Sequence, residues 1–290
     1  MANRKRKAAP EVSIQMELWT GSKSEQHARK AQATGGDNGD RFDTGSRALA
    51  VFDGVSGVTA PWAPKHMAEA MCAGLSRELN QRFSVSGNAQ RYDEGVRTEL
   101  ALPRGQEPGS WLQNMLTYVF ASVHTGGSTT FAVTTFTKGL LTYCCLGDCR
   151  VAVYRFDTAL GRAKPLFMSD VGQFDLATEN GVVKCPYQAF LDSPLGMTPD
   201  YAKNVMAKCT TGVVQETLQT NDTIIVASDG VFDNLNTFML QSAITQGYAQ
   251  NLNPQSLAEN LVKQAMDGAS LPGGKPDDIT AAVGYVVRKW

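Results

Sequence analysis

Acidic residues adjoin apolar segments at four places in this chain, and these residues are the first whose chemistry we consider. The end of a buried strand is a rigid position for a carboxylate, and a neighbouring glycine lets backbone approach closely. Asp53 follows the apolar run 48–52, Asp148 follows 140–146, Asp229 follows 223–228, and the pair Asp277 and Asp278 precedes the run that starts at 279. If these chain positions converge in the fold, they form a cluster of carboxylates.

Such a cluster would have a specific chemistry. Any one of these residues has an ordinary explanation, because Asp-Gly is a turn dipeptide and Asp caps helices and turns. A cluster of several aspartates has no such ordinary explanation, because carboxylates roughly 4 to 6 Å apart raise one another's pKa and need cations to stay ionised. Oxygen ligands without His or Cys select hard ions, so the sequence favours Mg²⁺ or Mn²⁺.

Composition excludes several other classes. With 42% hydrophobic and 19% charged residues, the 290-residue chain is typical of a soluble globular protein. We expect no nucleic-acid partner, because 27 Lys plus Arg balance 28 Asp plus Glu and leave no broad positive field. No apolar run is long enough for a membrane span. We predict a basic flexible tail over residues 1–10 and a single domain over 11–290.

Hydrophobic periodicity predicts mixed helices and strands. Consecutive strands and the tight turn at Gly147-Asp148 favour antiparallel sheets and therefore an α+β class. Residues 20–39 are predicted to be a loop, and 84–109 and 161–199 to be long surface excursions. The predicted strands are 12–19, 48–52, 129–136, 140–146, 150–156, 223–227 and 279–287, and the predicted helices are 67–79, 111–123, 237–245 and one that starts at 254.

Five short motifs follow one another along the chain. They are Asp53-Gly54-Val55-Ser56-Gly57, Gly127-Ser128-Thr129-Thr130, Leu146-Gly147-Asp148-Cys149-Arg150, Ala227-Ser228-Asp229-Gly230-Val231-Phe232-Asp233 and Lys275-Pro276-Asp277-Asp278-Ile279-Thr280. Their order resembles the metal-dependent protein phosphatases of the protein phosphatase 2C type. The last motif is most similar to the branch that includes the mitochondrial T-cell activation phosphatase.

This resemblance implies a fold and a metal centre. The expected fold is a two-sheet antiparallel β-sandwich flanked by helices in α/β/β/α layers, with two Mn²⁺ or Mg²⁺ ions at one end. Asp53 is expected to bridge both ions, the carbonyl of Gly54 to complete one site, and Asp229 and Asp277 to bind the other ion.

Two further acids match supporting positions of the family, and a neighbour of the ligands departs from it. Asp148 matches a residue that helps to hold a third, weaker ion, and Asp40 matches an acid that contacts metal-bound water. Asp278 stands where the family usually has Asn, so we assign it a supporting position behind the ligands.

The activity implied is hydrolysis of phosphoserine and phosphothreonine in phosphoprotein substrates. Two divalent ions lower the pKa of a shared water from about 15.7 toward neutrality, so that hydroxide can attack phosphorus without a covalent intermediate. We expect a monomer in the cytoplasm, with the mitochondrion or the nucleus as alternatives.

Three residues depart from the family pattern near the predicted ligands. Val55 replaces a His that is a candidate general acid, Ser56 replaces the first Gly of a pair, and Gly39 replaces a Glu beside Asp40. The phosphate-binding Arg of the family has no assigned equivalent, and Arg29, Arg41, Arg47 and Arg150 are candidates.

The alternative function is a phosphatase-like scaffold with weak or no activity. Such a protein is expected to have lost metal ligands, whereas Asp53, Asp229 and Asp277 are all present. We therefore favour an enzyme.

Overall fold

The computed structural model describes residues 15–28, 38–45, 47–55, 64–83, 108–137, 139–178, 181–191, 198–215 and 217–289. Residues 1–10, which the sequence predicts to be a tail, lie outside these ranges, as do Ser56 and Arg29. Among the described helices, none combines the length and the apolar character that a membrane crossing requires.

Two antiparallel sheets form the centre of the fold. In the first sheet, the order of strands is β1 (Gln15–Gln26), β13 (Asp278–Lys289), β12 (Thr223–Ala227), β6 (Arg150–Asp157) and β7 (Arg162–Met168). In the second sheet, it is β11 (Thr210–Val213), β5 (Leu140–Leu146), β4 (Gly127–Thr137), β3 (Ala48–Gly54) and β2 (Arg41–Gly45), and β10 (Ala189–Leu191) also pairs with β4. A separate hairpin consists of β8 (Gln173–Thr178) and β9 (Gly181–Pro186).

Helices cover the outer faces of both sheets. The side-chain oxygens of Asn236 and Asn253 cap two of them by accepting hydrogen bonds from backbone N–H groups three positions on. Pro254 stands at the first position of its helix, where no N–H donor is needed. The described helices are α1 (Pro64–Phe83), α2 (Pro108–Ala121), α3 (Pro199–Met206), α4 (Asp229–Phe232), α5 (Thr237–Ala249) and α6 (Pro254–Ala269).

Alternation along the central strands creates three apolar layers. In β3, Ala50 and Phe52 pack with α1 and α2, whereas Leu49 and Val51 face the other sheet. In β12 the inner residues pack in the same interior and the outer ones contact α5 and α6. A strand that is buried on both faces has a nearly continuous apolar sequence, as β3 and β12 do. The α+β sandwich with α/β/β/α layers is therefore confirmed.

Two segments that the sequence did not assign to strands contain strands in the structure. The segment 20–39 was predicted to be a loop, but β1 continues to Gln26, because it pairs with β13 from Gln15 opposite Lys289 to Gln26 opposite Asp278. Cross-strand partners stabilise this polar half, which has little β-signal of its own. The segment 161–199, predicted to be a surface excursion, contains the exposed hairpin β8–β9, whereas its strands β7 and β10 join the two main sheets.

Candidate metal centre

Three carboxylates meet at one end of the sandwich. Asp53 lies at the end of β3, Asp148 in the turn between β5 and β6, and Asp229 directly after β12. Each offers a carboxylate oxygen, and these oxygens all lie within 4.8 Å of one another. The two sheets thus bring together three strand ends that are far apart in the sequence.

The end of β3 is held by the neighbouring strand β4. Asp53 pairs with Thr130 in the ladder, and the Thr129 hydroxyl donates a 2.7 Å hydrogen bond to the Asp53 carbonyl oxygen. The Val55 N–H donates to the Ser128 carbonyl oxygen at 3.1 Å. The motif around Gly127 therefore fixes the backbone that carries Asp53 and Gly54, although it supplies no carboxylate.

The turn that carries Asp148 needs its glycine. Gly147 has a φ of +83°, and a Cβ there would lie 2.6 Å from both the Thr130 side chain and the Tyr187 carbonyl oxygen. Burial, followed by the neighbouring Asp229 carboxylate, raises the pKa of Asp148 from 3.8 to about 6. This environment disfavours the ionised carboxylate when no cation is close.

Asp229 is the most enclosed member of the group, with only 6% of its surface exposed. Its pKa is raised, first by burial and then by the Asp277 carboxylate, while Lys275 acts in the opposite direction. Asp229 Oδ2 pairs with the Lys275 ammonium, and Asp229 Oδ1 has no hydrogen-bond partner among the described residues. A buried carboxylate oxygen in this state is a ready acceptor for a cation.

Asp277 lies at the edge of the three-carboxylate group. Its carbonyl oxygen accepts from the His27 N–H at 3.1 Å, and its Oδ1 accepts from the Asp278 N–H at 2.9 Å. Its Oδ2 lies 3.5 Å from Lys275 Nζ. The structure thus brings Asp277 beside Asp229, as the raised pKa of Asp229 also indicates.

Asp40 and Gly54 belong to the same region. Asp40 is 2% exposed, and its N–H donates to Asn38 Oδ1 at 2.8 Å. A Cβ on the preceding Gly39 would lie 2.9 Å from the Gly54 carbonyl oxygen, so the Asp40 segment contacts the end of β3. The absence of a Glu at position 39 therefore has a steric reason, since the backbone leaves no room for a side chain.

Lys275 is a component of the site that the motif comparison did not single out. Its Nζ contacts Asp229, lies 2.9 Å from Asp233 Oδ2 and reaches Asp277 at 3.5 Å. Burial disfavours the Lys275 ammonium, but the carboxylates of Asp229 and Asp233 outweigh burial and raise the lysine's pKa. The sequence signal for this role was a cation two positions before Asp277.

Asn234 was also missed, because an amide after a helical turn carries no chemical signature. Its side-chain nitrogen donates to the Lys275 carbonyl oxygen, and its side-chain oxygen accepts from the Lys275 N–H, both at 2.9 Å. Asn234 thereby fixes the Lys275 backbone next to α4.

The donor set fits hard divalent cations. All its members are oxygen ligands, three carboxylates lie within reach of one ion, and the buried Asp229 Oδ1 has an open acceptor position. The arrangement is suited to hold cations of high charge density.

No family model matches the chain. Among curated proteins of Oryza sativa subsp. japonica, Probable protein phosphatase 2C 71 is 27% identical over 176 residues, which is 60% of this chain and 32% of that protein. Probable protein phosphatase 2C 1 is 28% identical over 290 residues, covering 90% of this chain and 72% of that protein. The chain therefore spans only about a third of the first of these relatives.

Solved structures share the fold. That of the photosystem II phosphatase PBCP has a TM-score of 0.61 and 22% identity, with 93% of this chain and 99% of that one covered. The catalytic domain of the serine/threonine protein phosphatase PstP, in complex with two manganese ions, has a TM-score of 0.55 and 17% identity, with 94% and 100% covered. The mitochondrial branch stays a prediction, whereas the curated relatives show that the chain is similar in sequence to protein phosphatases of the 2C type, and the solved structures show that it shares the fold of such phosphatases.

Proposed function

We propose that this protein hydrolyses phosphoserine and phosphothreonine in phosphoprotein substrates with the help of divalent cations. The observation that carries the proposal is the meeting of Asp53, Asp148 and Asp229 within 4.8 Å at the end of the sandwich. The relatives named protein phosphatase 2C support the same activity.

When bound, two Mn²⁺ or Mg²⁺ ions would supply an activated water for attack on phosphorus. They would also offset the negative charge on the phosphoryl oxygens. We assign Asp53, the Gly54 carbonyl, Asp229 and Asp277 as their ligands. Asp148 is the proposed ligand of a third, weaker ion, and its carboxylate oxygen lies within 4.8 Å of those of Asp53 and Asp229.

The protein's own residues contribute rigidity and charge. The hydrogen bonds from β4 hold the Asp53 backbone in place, so its carboxylate needs little reorganisation when cations bind. Asp148 releases its proton with a pKa of about 6, so cation binding is expected to weaken as the pH falls through that value. Asp40 is proposed to orient a water molecule from its buried position near Gly54.

Substrate recognition is proposed for the hairpin β8–β9. Its base is tied to the metal-ligand turn, because the Gly172 N–H donates to the Gly147 carbonyl oxygen at 2.8 Å and the Tyr187 N–H donates to the Gly172 carbonyl oxygen at 3.0 Å. A phosphoprotein that contacts the hairpin would therefore have its phosphoryl group near Asp148. The monomeric state and the cytoplasmic location stay predictions.

The test is hydrolysis of a phosphothreonine peptide with Mn²⁺, with Mg²⁺ and with chelator. Asp53→Asn is the test variant, and Asp267→Asn, which changes an exposed carboxylate on α6, is the matched control. We expect metal-dependent turnover that is lost in Asp53→Asn and retained in Asp267→Asn. A folded wild-type protein that neither hydrolyses the peptide nor binds Mn²⁺ would contradict the proposal and favour the scaffold function, which no observation on this structure supports.

A further inference from the structure

Lys275 places a positive charge inside the proposed metal centre. Its Nζ contacts Asp229 Oδ2, lies 2.9 Å from Asp233 Oδ2 and lies 3.5 Å from Asp277 Oδ2. Asp229 is buried, whereas the Lys275 side chain is 46% exposed and the Asp233 side chain 40% exposed. The ammonium therefore connects the inner carboxylates of the site to an outer carboxylate at its rim.

The backbone of Lys275 is fixed while its side chain can move. Asn234 holds the Lys275 N–H and carbonyl groups through two hydrogen bonds of 2.9 Å, and Pro276 restricts the following bond. The half-exposed side chain has no such restraint and has a second partner in Asp233. The ammonium can thus leave Asp229 without a change in the chain path.

We propose that Lys275 is a built-in competitor of one divalent ion, which must displace its ammonium in order to bind between Asp229 and Asp277. This inference rests on the proposed function, since it assumes that these two residues are metal ligands. Bonds from Mg²⁺ to oxygen are about 2.0 to 2.1 Å long, so an ion of this size that reached both carboxylates would fill the volume that Nζ now occupies. One volume between the same oxygens cannot hold both cations.

The competition does not extend to the whole cluster. The ion pairs described for Lys275 are those with Asp229 Oδ2, Asp233 and Asp277, whereas Asp229 Oδ1 has an open acceptor position. An ion held by Asp53 and Asp229 Oδ1 can bind while the ammonium remains on Asp229 Oδ2. The two ions are therefore expected to differ in affinity, and only the weaker one is expected to depend on Lys275.

Displacement by a divalent ion leaves Lys275 with the outer carboxylate. Asp233 lies at the rim, where the ammonium can remain paired and partly hydrated. The ammonium would then no longer lie between Asp229 and Asp277. Without divalent ions, the Lys275 ammonium offsets the negative charge of Asp229, Asp233 and Asp277.

Calorimetric titration of the full chain with Mn²⁺ tests this inference. The variants are Lys275→Met, which removes the charge, Lys275→Arg, which keeps it, and Lys263→Met, a matched control on the exposed face of α6. We expect Lys275→Met to tighten the weaker Mn²⁺ site by at least about tenfold, equivalent to about 1.4 kcal/mol. Lys275→Arg and Lys263→Met are expected to bind Mn²⁺ as the wild type does.

The outcomes separate this inference from the proposed function. Mn²⁺ binding that is unchanged or weaker in Lys275→Met would overturn the competition and leave the metal centre in place, with Lys275 orienting Asp229. A wild type and a Lys275→Met variant that both fail to bind Mn²⁺ would overturn both proposals. If Lys275→Met does not fold in chelator, Lys275→Gln gives the same comparison with a polar side chain and no charge.

Discussion

The Gly39 N–H donates a 2.7 Å hydrogen bond to Asp278 Oδ2, and this bond joins two segments that are 239 positions apart in the chain. Gly39 precedes Asp40, and Asp278 opens β13 directly after Asp277. The bond is buried, with Asp278 only 1% exposed. Asp278 thus positions the segment of Asp40 without belonging to the three-carboxylate group.

Replacement of Asp278 by Ala is expected to lower both stability and activity. It would leave the buried Gly39 N–H without its acceptor, which costs about 1 to 3 kcal/mol. Loss of an outer partner of metal ligands typically reduces affinity or activity by about 10- to 100-fold. Asp278→Asn keeps an acceptor oxygen and is expected to stay close to wild type. Thermal unfolding and Mn²⁺-dependent peptide hydrolysis measure both effects, and equal activity of the Ala and Asn variants would count against this role.

Gly39→Ala is expected to disturb the site by contact alone. The added Cβ would lie 2.9 Å from the Gly54 carbonyl oxygen and 3.1 Å from Asp278 Oδ2, so backbone has to shift. Overpacking of this kind costs about 1 to 3 kcal/mol. Gly45→Ala is the matched control, because a Cβ there meets nothing within 4 Å. Urea denaturation of both variants checks the prediction, which fails if Gly39→Ala is as stable as Gly45→Ala.

Asp229→Asn is expected to abolish catalysis while the fold persists. The residue is a proposed metal ligand and the inner partner of Lys275, so the neutral amide removes the negative charge from both interactions. We expect turnover of a phosphothreonine peptide to fall by more than about 100-fold, beyond the usual effect of outer partners. Circular dichroism monitors the fold, and unchanged turnover would show that the site assignment is wrong.

Much of the fold was predictable from pattern. The run 224–227 is apolar throughout because the strand is buried on both faces, and the predicted bounds 223–227 match β12. The polar half of β1 was not predictable, since its strand conformation comes from pairing with β13 and not from its own residue types. Pairing partners distant in the chain leave no trace in local periodicity.

The candidate site was predictable where a glycine lies next to an aspartate in its motifs. Asp53, Asp148 and Asp229 each adjoin a glycine at a strand end, and the structure places the three together. Lys275 was not assigned a role, because a lysine is normally a solvated surface residue. Its position among carboxylates depends on Asn234, whose contribution is a tertiary contact.

The stability of the metal-free protein is expected to depend on pH through Asp148. Its pKa in the folded state is about 6, above the ordinary 3.8, because of burial and then Asp229. The folded protein therefore binds this proton more tightly than the unfolded chain does, so the stabilising contribution is present below pH 4 and is lost as the pH rises to 6. The Asp148→Asn variant lacks this titrating proton, so this contribution to its stability does not change with pH.

In chelator, Asp148→Asn is thus expected to gain thermal stability relative to wild type between pH 4 and pH 6 and to hold that gain at pH 7. Asp267→Asn, whose carboxylate is exposed, is expected to follow the wild type throughout. Mn²⁺ should reverse the order at pH 7, since a ligand that binds only the folded state stabilises the protein that binds it better. Melting temperatures of the wild type and both variants across this pH range test the prediction. A constant difference between wild type and Asp148→Asn would mean that Asp148 titrates alike in both states and is not held in a carboxylate cluster.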